Sequence, residues 1–176
     1  MKLLIKINFI IALIVSLTSV SYACNFLKES MGTSIATLGD RYDEFTLSAE
    51  DDYGDETVLV EYDTSYVCDE PLLNETYLKV YVREKKLIGI QIEALEPKNT
   101  NKIYQFAKNN FGLDDEKVKA EEWVGVIDLS FGDSVILYGK IDEPDGIYET
   151  LELTNVEYQD YLICLLYTSP SPRDIR

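Results

Sequence analysis

Apolar residues in this chain recur mainly at every second position, and the longest such stretch runs from Thr76 to Ala94. Leu78, Val80 and Val82 alternate with Tyr77, Lys79 and Tyr81. After the charged link Arg83-Glu84-Lys85-Lys86, Ile88, Ile90 and Ile92 alternate in the same way. Period-two alternation sends successive side chains to opposite faces of an extended strand. The stretch therefore predicts a β-hairpin with one apolar face, carrying Leu78, Val80, Val82, Ile88, Ile90 and Ile92. Tyr77, Lys79 and Tyr81 point the other way.

Further strands are expected at Thr57–Tyr62, Trp123–Phe131, Ser134–Ile141 and Ile147–Leu153. Gly132-Asp133 joins the second and third of these, and its leading glycine suits a type II′ turn. Asp142-Glu143-Pro144-Asp145-Gly146 turns the chain into the last. Helical spacing appears at Ile35, Leu38 and Tyr42, with Thr33 as a cap, and at Ile103, Phe106 and Ala107. Asn99 or Thr100 caps that second helix and Gly112 stops it. Thr154-Asn155-Val156-Glu157 has the form of a capping box opening a third.

The expected fold is α+β: an antiparallel sheet of about six strands with two or three short helices, in one domain over 24–163. The order helix, three strands, helix, three strands is what two tandem units would give, although no residue-level repeat accompanies it. The run Gly32–Leu38 resembles the start of small exported modules that place a short helix before a three-stranded antiparallel sheet, as in small outer-membrane assembly lipoproteins and the β-lactamase-inhibitor proteins. No function is carried across that resemblance.

The ends of the chain have their own signatures. Lys2 and Lys6 precede an apolar run from Phe9 to Leu17, followed by Ser21-Tyr22-Ala23. This is the layout of a secretory signal peptide cleaved after Ala23, and the run is shorter than the ~20 residues a membrane span needs. The expected location is periplasmic or extracellular. A cysteine directly after the cleavage site raises the alternative of a lipid anchor on Cys24, but the bulky Tyr22 departs from the usual lipoprotein pattern. At the other end, Cys164 to Asp174 resembles one reading frame of a sequencing adaptor, so residues 164–176 are expected to be a non-native tail.

Charge and cysteines narrow the picture. The 176-residue chain has a formal net charge of −16, and the stretch 24–163 holds 12 basic and 31 acidic residues, a net of −19. Such a chain repels nucleic acid and anionic lipid. Cys24 and Cys68 form an even pair in an oxidising compartment, and a disulfide between them is expected to contribute ~3–4 kcal/mol.

The chain contains no histidine, which excludes a histidine general base, Ser-His-Asp or Cys-His nucleophile pairs and histidine-ligated metals. Nor is there a glycine-rich phosphate loop or a Gly-x-Ser-x-Gly motif. No cofactor is expected. Carboxylate chemistry of the glycoside-hydrolase kind stays open, and Asp128 is its first candidate because it interrupts an apolar strand. As a solvent-facing strand residue, however, it needs no such role. Asp51, Asp52, Asp55 and Glu56 around Gly54, and Asp142, Glu143 and Asp145, offer hard oxygen ligands for Ca²⁺, without matching an EF-hand loop. Solvated acidic loops are the preferred explanation of both runs.

A binding surface is the third possibility. Tyr77, Lys79 and Tyr81, extended by Tyr138 and Tyr148 if their strands are neighbours, would present aromatic area at low entropic cost. Asn74-Glu75-Thr76 fits the N-glycosylation pattern. The sequence thus points to a small, acidic, exported protein that acts by binding a protein or other macromolecule and is not an enzyme. A carboxylate-dependent hydrolase and a calcium-binding structural protein are the alternatives.

Overall fold

The structure, a computed structural model, describes residues 24–42, 58–97, 100–119 and 122–162. The expected signal peptide, the acidic run Asp51, Asp52, Asp55 and Glu56, the cap candidate Asn99 and the tail 164–176 lie outside these residues.

The alternating stretches form six strands: β1 (Val58–Asp63), β2 (Thr76–Arg83), β3 (Lys86–Ala94), β4 (Gly125–Asp128), β5 (Ser134–Glu143) and β6 (Gly146–Asn155). They make one antiparallel sheet in the order β1-β2-β3-β6-β5-β4. Among the described residues, α-helices α1 (Ile35–Arg41) and α2 (Lys102–Phe111) precede β1 and β4. Each half of the chain is therefore a helix followed by a three-stranded meander, and the meanders join through their last strands, β3 against β6. The fold is α+β.

The β2–β3 hairpin closes through Glu84 and Lys85, whose φ values of 49° and 59° are both left-handed, as a type I′ turn requires. Its register holds one surprise. Val82 pairs with Leu87 but Tyr81 pairs with Gly89, so Ile88 is an extra residue in a β-bulge. It turns to the face opposite Ile90 and Ile92, and Leu87 takes the inward place expected for it.

Leu78, Val80, Val82, Leu87, Ile90, Ile92, Ile136, Tyr138, Leu151 and Leu153 form the inner face. Phe26, Leu27, Ile35 and Leu38, with Ile103, Tyr104, Phe106 and Ala107 of α2, cover it. Burying each large aliphatic side chain contributes about 1.5–3 kcal/mol, so this larger of the two buried clusters is the main apolar contribution to stability. Cys24 and Cys68 are disulfide-bonded within it, 44 residues apart.

Three helix ends differ from expectation. Ser34, not Thr33, caps α1, its Oγ accepting the Thr37 N–H at 3.2 Å. Asn101 precedes α2 in a left-handed conformation, φ 52°, and makes no side-chain cap bond. The capping box at Thr154 does not form, because β6 runs on to Asn155 and the Thr154 hydroxyl donates to Ile88 O at 2.6 Å. Pairing with β3 outweighs the local signal. Asn155 instead accepts the Tyr158 N–H, and a helical turn over 159–162 follows. This segment lays Leu162 and Tyr158 against Tyr81 and Ile88 on the outer face. Among the described residues no helix is long and apolar enough to cross a membrane.

Candidate interaction surface

The outer face is organised in cross-strand rows. One crosses all six strands as Glu61–Lys79–Gln91–Glu152–Leu137–Asp128, and the next as Asp63–Tyr77–Glu93–Thr150–Gly139–Val126. Directly opposed residues on one face are the interacting unit of a sheet. These two rows hold five carboxylates and one ammonium, and Lys79 is ion-paired to Glu93 at 2.5 Å. Glu152 sits mid-sheet between Gln91 and Leu137, and burial lifts its carboxyl above the usual range. Asp63 and Asp128 are held below it by side-chain and backbone hydrogen bonds from Ser65 and Ser130.

The five residues expected on a binding surface divide. Tyr77, Lys79, Tyr81 and Tyr148 share the outer face, and Tyr77 is 41% exposed. Tyr81 is buried beneath Leu162 and donates its hydroxyl to Gln91 Oε1 at 2.9 Å. Tyr148 is also buried, donating to Asp145 Oδ2 at 2.8 Å. Tyr138 lies on the inner face instead. It pairs with Leu151, stacks on Trp123 with planes 9° apart, and meets Tyr104 edge-on at 6.0 Å. Its place in β5 puts it in phase with core residue Ile136, which removes it from the surface set.

The carboxylates singled out for chemistry do not converge. Asp128 is exposed and accepts the Ser130 N–H at 2.7 Å, a local turn bond. Asp142 and Asp145 flank the β5–β6 turn, and no group of three or more acidic or thiol ligands suited to a metal occurs among the described residues.

A buried polar cluster that the sequence reading passed over lies on the inner face. Lys140 and Glu149 oppose one another across β5 and β6, each 1% exposed. Glu149 Oε2 accepts the Tyr104 N–H at 3.0 Å, and Lys140 Nζ donates to Asn101 Oδ1 at 3.0 Å. The first turn of α2 needs acceptors for its free amides, and a carboxylate from the sheet supplies one while the side chain of Asn101 is turned to Lys140. Burial pushes Glu149 up, opposed by the Tyr104 amide and Lys140. Burial pushes Lys140 down, opposed by Glu149. A pocket lined by Glu75, Thr76, Glu96, Lys102 and Ile103 reaches this carboxylate. The signal was available, since Glu149 stands in phase between Ile147 and Leu151, but one acid among many attracts no notice.

No protein-family model matches the chain, and comparison with curated proteins and with solved structures gives no match either.

Proposed function

We propose that this is an exported, non-catalytic protein that binds a basic protein partner on the outer face of its sheet. The observation that carries the reading is the pair of central rows in which Glu61, Asp63, Glu93, Glu152 and Asp128 outnumber Lys79. An acidic face set on a strongly acidic chain steers basic partners toward it and turns away nucleic acid and anionic lipid. The signal-peptide pattern and the buried disulfide support export, and the bond engages the Cys24 Sγ that a lipid thioether would need. The hydrolase alternative has less support: Asp128 is exposed with no second carboxylate facing it among the described residues, and Glu149, although a pocket reaches it, is almost wholly buried and tied to a helix amide.

Calorimetric titration with a lysine- and arginine-rich polypeptide tests the reading. Saturable binding is expected that weakens with salt and weakens further in Glu61→Lys and Glu152→Lys. Equal heats for a polyglutamate control, or indifference to both substitutions, would refute it.

A further inference from the structure

The β4 margin of the sheet leaves backbone groups and apolar side chains facing outward. Among the described residues β4 pairs with β5 alone and ends the sheet. The Leu129 N–H donates to Ile136 O at 2.8 Å, and this fixes the phase of the ladder, because residues of an antiparallel pair alternate between bonding the neighbour and facing away. Ile127 and Gly125 direct their backbone groups at β5. Val126 and Asp128 direct theirs away from the sheet.

The side chains around this margin are unusually bare. Val124 is 46% exposed, Val126 63%, Ile141 44% and Phe131 65%. Val126 opposes Gly139, which offers no side chain to cover it. Lone edges are commonly guarded by lysine, proline, a bulge or a very short strand; β4, four residues long, carries no lysine, proline or bulge, and its one charge is Asp128. An apolar patch beside unpaired backbone is a site for strand addition.

We propose that β4 receives an extended segment of the partner as a seventh strand, with an apolar side chain opposite Val126 and a lysine or arginine opposite Asp128. The identity of the occupant rests on the reading above that the partner is basic. Charge selects it here too: Asp128 on the strand and Asp133 at the adjoining turn favour a cationic segment, and a second copy of a chain this acidic is repelled.

The test uses a fluorescein-labelled peptide, Lys-Thr-Val-Thr-Val-Thr-Lys, with its glutamate-ended counterpart as control, followed by anisotropy and by amide exchange in the full chain. Only the basic peptide is expected to bind, and it should slow exchange at Val126 and Asp128 at least tenfold. Val126→Pro, which removes an outward donor without breaking a bond to β5, should weaken binding tenfold or more. Asp128→Lys should reverse the preference between the peptides.

Binding that survives Val126→Pro but is lost in Glu152→Lys would overturn strand addition and leave the acidic-face reading standing. Failure of both this peptide and a long polylysine to bind would end both. Concentration-dependent dimers that protect Val126 without peptide would assign the edge to a second copy and overturn the proposal.

Discussion

The two halves of the chain follow the same course, helix then three-stranded meander, yet they fasten helix to sheet by different chemistry. In the first half the fastening is covalent and main-chain. The Cys24–Cys68 bond holds the segment before α1, and Gly32 N–H and Ile35 N–H donate to Leu87 O and Lys85 O at 2.7 and 3.0 Å. In the second half, α2 is tied by Glu149 to Tyr104 and by Lys140 to Asn101. Main-chain bonds and a disulfide place no full charge in the interior. A buried carboxylate and ammonium do, and desolvation sets each against its partner's attraction. One half should therefore respond to reductant and the other to pH and to charge removal.

The largest effect should come from unbalancing the charged tie. Lys140→Ala leaves Glu149 without its opposed cation and is expected to cost about 3–5 kcal/mol. Adding Glu149→Gln should restore part of that loss, and a double-mutant cycle from denaturant midpoints measures the coupling. Additive losses would mean that the two side chains do not act as a pair. Reduction of the disulfide should cost somewhat less, ~3–4 kcal/mol for a loop of this length. Unfolding curves with and without reductant check it, and a Cys24→Ser/Cys68→Ser variant should match the reduced protein.

Acidity sharpens the contrast further. Glu149 and Glu152 have carboxyls raised in the folded state by burial, so the fold binds their protons more tightly than the unfolded chain does. Their contribution grows as pH falls from neutral through the raised values and is lost as pH rises. Asp63 and Asp128 are lowered, and theirs is full above the ordinary aspartate value near ~4 and is lost as pH falls from there through their lowered values. Melting temperature should therefore rise from pH 7 toward mildly acid solution and fall below it. Glu149→Gln and Glu152→Gln should flatten the rise. Relief of general charge repulsion acts in the same direction, so a slope unchanged in both variants would assign the effect to net charge alone.

Much of this was legible in the residues. Alternation located all six strands, and the order of elements anticipated two helix-and-meander units, because half-buried strands must alternate to bury one face. What escaped depended on facts that periodicity does not contain. Ile88 changes face through a bulge set by pairing. Tyr138 goes inward because the helices cover its side of β5, a choice invisible within β5 itself. Thr154 carried a sound local signal that a neighbouring carbonyl overrode. Glu149 was in phase with the core and hidden only by the abundance of acids.

The smallest predicted effect compares a glycine in each half, both on the outer face. A Cβ on Gly89 would lie 2.4 Å from Leu162 Cδ1, whereas one on Gly139 would first meet Thr150 Oγ1 at 3.1 Å. The atom in the way at Gly89 is the end of a flexible side chain, so Gly89→Ala should displace the segment 156–162 rather than unfold the sheet, at a cost of about 1 kcal/mol. Exchange at the Leu162 amide, which donates to Tyr158 O, should quicken, and the Tyr81 ring should gain exposure. Gly139→Ala should leave both readouts unchanged. If Gly89→Ala shifts neither of them, Leu162 does not close over Tyr81 and Ile88, and the outer face is more open at β2 and β3 than its packing indicates.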